Sequence, residues 1–409
     1  MLDNILQTVM LAARNLARQR RRGLLALLTV CGGVVAYLLA GGFIEWIFHD
    51  MRESTIHSQL GHIQITRPGY FSNGVSDPYR YLLPGATDEV ARLGGDKVRT
   101  ISPRLAFNGL ISREDATVSF VGEGIDPALE RPISRAITIV SGRDLADGDA
   151  NEVLLGEGLA ANLGAAAGDS VVLLATTAEG GINAVELKVA GLFATITKSY
   201  DDSVLRAPIG VARRLMRVEG ATTWVVLLGD TAETAAATAS LRRSMPAASF
   251  EITPWNELAD FYNKTVELFS RQVGVVRALI ALIVVLSISN TLSMAVIERT
   301  SEIGTSMALG VRRRGILGLF LCEGALLGIA GGLLGVALGL VLAEAISLVG
   351  IPMPPPPGMA RGYLGQIAVT PALALDALLL AFVTTLVASL FPAWKASRMQ
   401  IVDALRHQG

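Results

Sequence analysis

Nucleotide chemistry needs a Gly-rich loop ending in Lys and a hydroxyl residue, because backbone amides and the ammonium together hold the phosphates. The chain has five lysines, Lys97, Lys188, Lys198, Lys264 and Lys395, and none follows a glycine. ATP cannot be held in that way. Gly156-Glu157-Gly158 does not continue into the glycine spacing of a dinucleotide site. Gly-x-Ser-x-Gly, His-Glu-x-x-His and Cys-x-x-Cys are all missing, so the usual signatures of esterase, zinc peptidase and dithiol chemistry are missing too. His49, His57 and His62 are close in sequence but have no cysteine or ordered carboxylates beside them. They read as surface or packed histidines, and no metal site is expected.

Charges inside apolar runs are the next candidates, because a charge in hydrocarbon is costly and is kept for a reason. Glu323 stands nine residues beyond Arg314 in an otherwise apolar stretch. We read it as a buried hydrogen bond that fixes helix packing, in preference to a proton relay. Arg277 borders a second run, and Glu45, Glu344 and Asp376 fall near the ends of others. A local ion pair between Arg277 and one of these carboxylates is expected.

Such residues need helices to hold them. The chain is 51% hydrophobic with a mean hydropathy of +0.48, and the excess is clustered at 23–47, 278–297, 315–348 and 373–391. A bilayer core about 30 Å thick needs roughly 20 helical residues, so each run can span. Arg14, Arg18, Arg20, Arg21 and Arg22 precede the first run, Arg299, Arg312, Arg313 and Arg314 lie between the second and third, and Lys395, Arg398 and Arg406 come after the fourth. The stretch between the third and fourth carries only Arg361. Basic flanks stay inside, which predicts cytoplasmic termini, a cytoplasmic 298–314 loop and a large domain outside. The first run is too long for the core of a cleaved signal peptide and reads as an anchor. Cys31 and Cys322 fall within runs, so the outer domain has no disulfide. The net charge of −1 says nothing about nucleic acid, and no nucleic-acid partner is expected.

The fold class these runs imply is an α-helical membrane protein with four transmembrane helices plus an α+β extracytoplasmic domain between the first and second. The expected segments are an interfacial helix at 1–22, spans at 23–48, 266–297, 315–348 and 373–392, and an outer domain with its stalks at 49–265. The remainder is an inner helix at 298–314, a Pro-rich outer loop at 349–372 and a tail at 393–409. Ile5, Val9, Ala12, Ala13 and Leu16 give the first helix an apolar face suited to the headgroup plane. In the outer domain, β-rich runs fall at 62–66, 117–121, 170–175, 185–189 and 223–228, with Glu179-Gly180-Gly181 as a hairpin turn. Helical stretches fall at 88–93, 231–245 and 257–269. The last has no internal breaker and predicts a stiff stalk carrying Phe261, Lys264, Val266 and Phe269. Pro352, Pro354, Pro355, Pro356 and Pro357 stiffen the outer loop.

Two patterns remain. In the third run, Gly324, Gly328 and Gly332 overlap Gly331, Gly335 and Gly339, ladders that let helix backbones approach closely in lipid. The inner loop places Ile303, Met307 and Val311 four residues apart with Ala308 adjoining, an apolar stripe suited to the groove of a cytoplasmic partner.

The inner loop and the first part of the third run, ERTSEIGTSMALGVRRRGILGLFLCEGALLGIAGGLLG, resemble the signature of the MacB/FtsX-like permeases, the type VII ABC transporter superfamily. Ala13-Arg14-Asn15-Leu16-Ala17-Arg18, Pro392-Ala393-Trp394-Lys395-Ala396-Ser397 and Asp403-Ala404-Leu405-Arg406 match as well. Gly122-Glu123-Gly124-Ile125-Asp126-Pro127, the stretch from Leu155 to Gly164, and Val189-Ala190-Gly191-Leu192-Phe193 look like the lipoprotein-releasing LolC/LolE branch.

The resemblance implies a MacB-like periplasmic domain and a non-catalytic subunit in the bacterial inner membrane. It implies work beside two copies of a separate cytoplasmic ATPase and a second permease chain, identical or not. ATP and Mg would then be bound by the partner ATPase and no cofactor by this chain. Glu298, Arg299, Glu302, Ile303, Gly304, Met307, Ala308, Leu309, Gly310 and Val311 would couple to that ATPase. The implied function is extraction of a lipid-anchored or hydrophobic cargo from the outer leaflet by mechanotransmission, with membrane lipids and a periplasmic carrier or adaptor as further partners. The alternative is a mechanotransducer without lipidic cargo, serving tripartite efflux or envelope signalling.

Overall fold

The computed structural model describes residues 2–18, 20–74, 77–85, 97–354 and 362–399. The expected helix at 88–93, Pro355, Pro356, Pro357, Arg361 and the tail from Asp403 to Arg406 lie outside them. The chain divides into two compact units. One comprises Met1–Phe48, Val266–Pro352 and Leu364–Gly409; the other comprises His49–Thr265 and Met353–Tyr363.

The first unit is helical. Helix α1 (Leu2–Arg18) leads into α2 (Arg20–Thr55), whose last residues belong to the second unit. Among the described residues, four helices are long and apolar enough to cross a membrane, and α2 is the first of them. In lipid every backbone amide and carbonyl must be satisfied within the helix, so length and apolarity together select this geometry.

The second unit is built on a ten-stranded sheet. Its strands are β1 (Ile63–Thr66), β2 (Val98–Arg113), β3 (Ala116–Ile125), β4 (Thr138–Gly142), β5 (Glu152–Gly156), β6 (Ser170–Thr176), β7 (Ile182–Ala194), β8 (Val204–Pro208), β9 (Thr223–Leu228) and β10 (Glu251–Pro254). The order is β10-β1-β9-β2-β3-β8-β5-β7-β4, with β6 pairing β2 and β7. Pairing is antiparallel except for β3 with β8 and β5 with β7. Helices α3 (Glu157–Leu163) and α4 (Ile209–Met216) close a core of Leu105, Phe107, Phe120, Leu155 and Leu215, and α5 (Thr234–Ser244) covers Trp224, Val226 and Ile252. The β6–β7 hairpin sets Thr176 opposite Ile182, with Gly180 at φ 84 in the connection, a backbone position that favours glycine.

The sequence reading missed β2, β4, β5, β8 and β10. In β2, Pro103, Arg104 and Asn108 interrupt the apolar alternation, yet the strand runs for 16 residues because β3, β6 and β9 all bond to it. The expected helix at 231–245 is a 3-10 turn, Thr231–Glu233, running into α5.

The expected stalk helix at 257–269 is corrected as well. A short helical turn, Trp255–Leu258, ends at Ala259 with ψ 61, and a new helix, α6 (Asp260–Glu298), begins there. Trp255 and Ala259 are buried in a cluster with Ile56, Ile133, Val225 and Leu227, and seating them breaks the helix. The side-chain amide of Asn263 donates to the carbonyl of Asn256 across the break.

The remaining helices are α7 (Thr300–Ala308), α8 (Arg313–Val349) and α9 (Pro371–Ser397), the last capped by Thr370 with Pro371 in its first turn. With α2, the helices α6, α8 and α9 make up the four of spanning length. Within the stretch expected to be loop, β11 (Ile351–Met353) pairs with β12 (Tyr363–Gly365). The helical core joins Ala26, Val30, Val34 and Leu38 of α2, Val284 and Ile288 of α6, Leu327 of α8 and Ala377 and Ala381 of α9.

Candidate functional site

Helix α7 is short, and its two faces differ sharply. Ile303 and Met307 are buried with Val296, Ile316, Phe320, Ala393 and Ala396, and Gly304 is buried between them. The expected partner-facing stripe therefore needs correcting. Two of its three members pack against the chain's own helices, because burial beside α8 and α9 removes their apolar surface from water. The exposed side carries Glu302, Thr305 and Ala308. Beyond it come Leu309, 84% exposed, then Gly310 at φ 98 and Val311, 44% exposed. Arg312, Arg313 and Arg314 come next, also exposed. A leucine so bare at the tip of a turn marks the apolar point of this segment.

Directly before α7, Arg299 turns inward. Its Nη1 donates to Glu323 Oε1 at 3.0 Å and its Nη2 to the backbone carbonyl of Asn15 at 3.2 Å. The Asn15 amide donates to the same Glu323 oxygen at 3.0 Å. The Glu323 side chain is 2% exposed and that of Arg299 10%. Glu323 is thus a buried hydrogen-bond acceptor, and its main partner is a cation rather than a relay group. Two outer ion pairs flank this centre, Arg18 with Glu302 at 3.2 Å and Arg22 with Glu298. The sequence reading singled out Arg299 and Glu323 but not Asn15, which it set off the apolar face of Ile5, Val9, Ala12, Ala13 and Leu16. That face lies on α8 and not on lipid alone: Ala12 is fully buried and Leu16 half-buried.

The two glycine ladders face different helices. A Cβ on Gly324 would lie 2.8 Å from Ser389 Cβ, and one on Gly332 3.1 Å from Leu378 Cδ2, both on α9; Gly328 likewise abuts Thr385 and Phe382. Cβ atoms on Gly331, Gly335 and Gly339 would instead meet Val30, Val34 and Leu38 of α2 at 2.6–2.8 Å. The close approaches lie within the chain.

Twenty-one residues before Glu298, about 32 Å along α6, Arg277 pairs with Asp376 of α9 at 2.9 Å. Tyr37 of α2 donates its hydroxyl to the same carboxylate at 2.5 Å. Neither Glu45 nor Glu344 is the partner. Between these ends, Val30, Gly33 and Val34 of α2, Ile280 and Val284 of α6, and Leu380 and Thr384 of α9 line an apolar crevice of about 10 Å³.

The stalk residues are spread along the start of α6. Phe261 is 45% exposed and Lys264 forms an ion pair with Asp260 at 2.6 Å. Val266 is half-buried, and the Phe269 ring meets Phe48 of α2 edge-on at 6.3 Å.

In the sheet unit, the turn after α2, Ile56–Leu60, is held by two buried arginines that sequence reasoning did not find. Arg206 donates to the Ser58 carbonyl at 2.9 Å, to Glu123 and to Ser134, and Arg104 donates to the Gln59 carbonyl and to Glu130. Burial pushes the Glu130 carboxyl up, but Arg104 and Arg206 beside it hold it below the ordinary carboxylate range. His62 accepts from the Leu228 amide through Nδ1 and pairs with Thr231 through Nε2. Burial, with His57 beside it, lowers its pKa to about 4. His57 and His62 are packed while His49 is exposed, and among the described residues no cluster of three His, Cys, Asp or Glu side chains could hold a metal ion.

Residues 24–244 match the family model described as the MacB-like periplasmic core domain, and residues 274–401 match the FtsX-like permease C-terminal model. An uncharacterized ABC transporter permease of Methanocaldococcus jannaschii is 27% identical over 274 residues, which cover 66% of this chain and 65% of that one. The lipoprotein-releasing system transmembrane protein LolC of Neisseria meningitidis is 25% identical over 97% of this chain and 98% of its own length. The pyoverdine export ATP-binding/permease protein PvdT of Pseudomonas aeruginosa is 34% identical over 41% of this chain and 23% of its own. The chain thus spans just under two thirds of the first of these relatives, nearly all of the second and about a quarter of the third.

Proposed function

We propose, for a chain that belongs to the MacB/FtsX-like family of ABC transporter permeases, that it extracts a lipid-anchored or hydrophobic cargo from the outer leaflet of the inner membrane, driven by a separate ATPase. The match to LolC along almost the whole of both chains supports the cargo class. In this reading both termini and α7 are cytoplasmic and the sheet unit, set between the first two spans, is periplasmic. The flanking arginines support that orientation. ATP and Mg belong to the partner ATPase, two copies of which serve two permease chains. A periplasmic carrier or adaptor receives the cargo. Motion passes from α7 through α6 and α2 to the sheet.

The observation that carries this reading is the bare tip of α7. Leu309, with Val311 beside it, is the apolar surface a cytoplasmic partner would cover, and burying such a side chain contributes about 1.5–3 kcal/mol. Leu309→Asp should weaken capture of the ATPase at least tenfold while the chain still inserts and folds. Met307→Asp puts a charge into the chain's own core and should reduce the yield of folded chain instead. Unchanged capture with Leu309→Asp would sink the docking assignment.

The second reading is a mechanotransducer without lipidic cargo, serving tripartite efflux or envelope signalling. Mass spectrometry of lipids and lipoproteins copurified with the complex separates the two readings.

A further inference from the structure

We infer that α1 belongs to the coupling element: Asn15 and Glu323 are positioning residues that hold α1 and α7 together as one body, so that α1 moves whenever α7 is moved. The functional half of this inference rests on the reading of α7 as the ATPase-docking segment; the structural half does not.

Three helices meet at one oxygen. Glu323 Oε1, on α8, accepts from Arg299 at the head of α7 and from the Asn15 amide on α1, both at 3.0 Å. Arg299 closes the triangle by donating to the Asn15 carbonyl. Arg299 thus flanks the N-terminus of α7 and bonds to both α8 and α1. The Ile303 amide bonds back to the Arg299 carbonyl, which carries the same residue into the first turn of α7.

The outer ion pairs, Arg18 with Glu302 and Arg22 with Glu298, bridge the same elements, but their side chains are 35–74% exposed and are screened by salt. The buried centre differs. Separating α1 from α7 would take the Asn15 amide from the Glu323 carboxylate and the Asn15 carbonyl from the Arg299 guanidinium, two buried bonds to charged groups, so the two helices travel together rather than part. A helix serving only as a headgroup float would need none of these bonds.

The test is hydrogen exchange on the full chain in lipid nanodiscs. With Asn15→Ala, amide exchange should rise about tenfold in α1 and also in α7, although position 15 is remote in sequence from α7. Arg14→Ala, on the exposed side of α1, should leave both at the level of the unmodified chain. A rise confined to α1 would overturn the inference, because a purely local packing role loosens only the helix that carries the residue. Should Asn15→Ala not be recovered from membranes, Asn15→Ser shortens the side chain and is read in the same way. In the complex with its ATPase, Asn15→Ala should lower the stimulation of hydrolysis by the permease severalfold while ATPase capture through Leu309 persists; unchanged stimulation would overturn the functional half. If the unmodified chain captures no ATPase, the docking assignment fails, and the exchange result still decides whether α1 and α7 are one body.

Discussion

Removing Arg299 alone should destabilise the helical unit far more than removing Arg299 and Glu323 together. Glu323 lies ten residues into α8, about 15 Å from its start, and its side chain is 2% exposed. In Arg299→Met the carboxylate keeps the Asn15 amide as its remaining side-chain donor and has little access to water. Breaking a buried pair in this way costs about 3–5 kcal/mol. In the double variant Arg299→Met with Glu323→Met neither charge is present, and apolar side chains of similar length fill the space. The remaining loss is the half-buried Asn15 amide without its acceptor, about 1–3 kcal/mol. The two single losses would sum to about 6–10 kcal/mol, so the cycle should show a coupling of several kcal/mol. Unfolding of the full chain in mixed micelles, titrated with denaturing detergent and monitored by tryptophan fluorescence, measures all four corners. A double variant as unstable as the sum of its singles would refute the argument, because it would mean that the two charges do not depend on one another. Raising salt should leave the cycle nearly unchanged, unlike a cycle built on the exposed Arg18–Glu302 pair.

Lys264→Pro, in the second turn of α6, removes the bond its amide makes to the preceding turn and costs about 3 kcal/mol of helix stability; cargo release by the reconstituted complex should fail while ATP hydrolysis continues, and normal release would reject a rigid stalk. Gly335→Val places its Cβ 2.6 Å from that of Val34 and 3.0 Å from the Cys31 carbonyl, and should lower stability by about 1–3 kcal/mol or more, seen as an earlier thermal transition. His62 has its folded pKa lowered to about 4, so the stability it contributes is complete above its ordinary value near 6.5 and declines as pH falls from there towards 4. Over that window the slope approaches about 1.4 kcal/mol per pH unit, and His62→Gln should flatten it in an acid-unfolding series; an unchanged profile would assign the acid sensitivity elsewhere.

The apolar runs were legible because a lipid-facing helix writes its length directly into the sequence. Arg277 and its candidate carboxylates were legible for a related reason, since charges at the ends of such runs have few places to go. What a face packs against was not legible. The spacing of Ile303 and Met307 shows that they share a side of α7, but periodicity cannot say whether that side meets a partner or the chain's own α8 and α9. Asn15 belongs to the N-terminal motif, but nothing in it marks a partner of Glu323, 308 residues away, because no local pattern records such a distance. In the sheet, β2 was missed for the opposite reason. Pro103 and Arg104 look like loop chemistry, and the strand exists because its neighbours supply the hydrogen bonds and Glu130 supplies the countercharge.

The two glycine faces of α8 also constrain how the chain is made. One ladder rests against α2, which emerges from the ribosome early, and the other against α9, which emerges last. A nascent chain that has inserted α8 but not yet α9 has a glycine groove with no occupant, and glycine exposes more backbone to its surroundings than any other residue. Assembly of the helical unit must therefore wait for residues around Thr385, and a chain truncated before α9 should remain a substrate for quality control however well its sheet has folded.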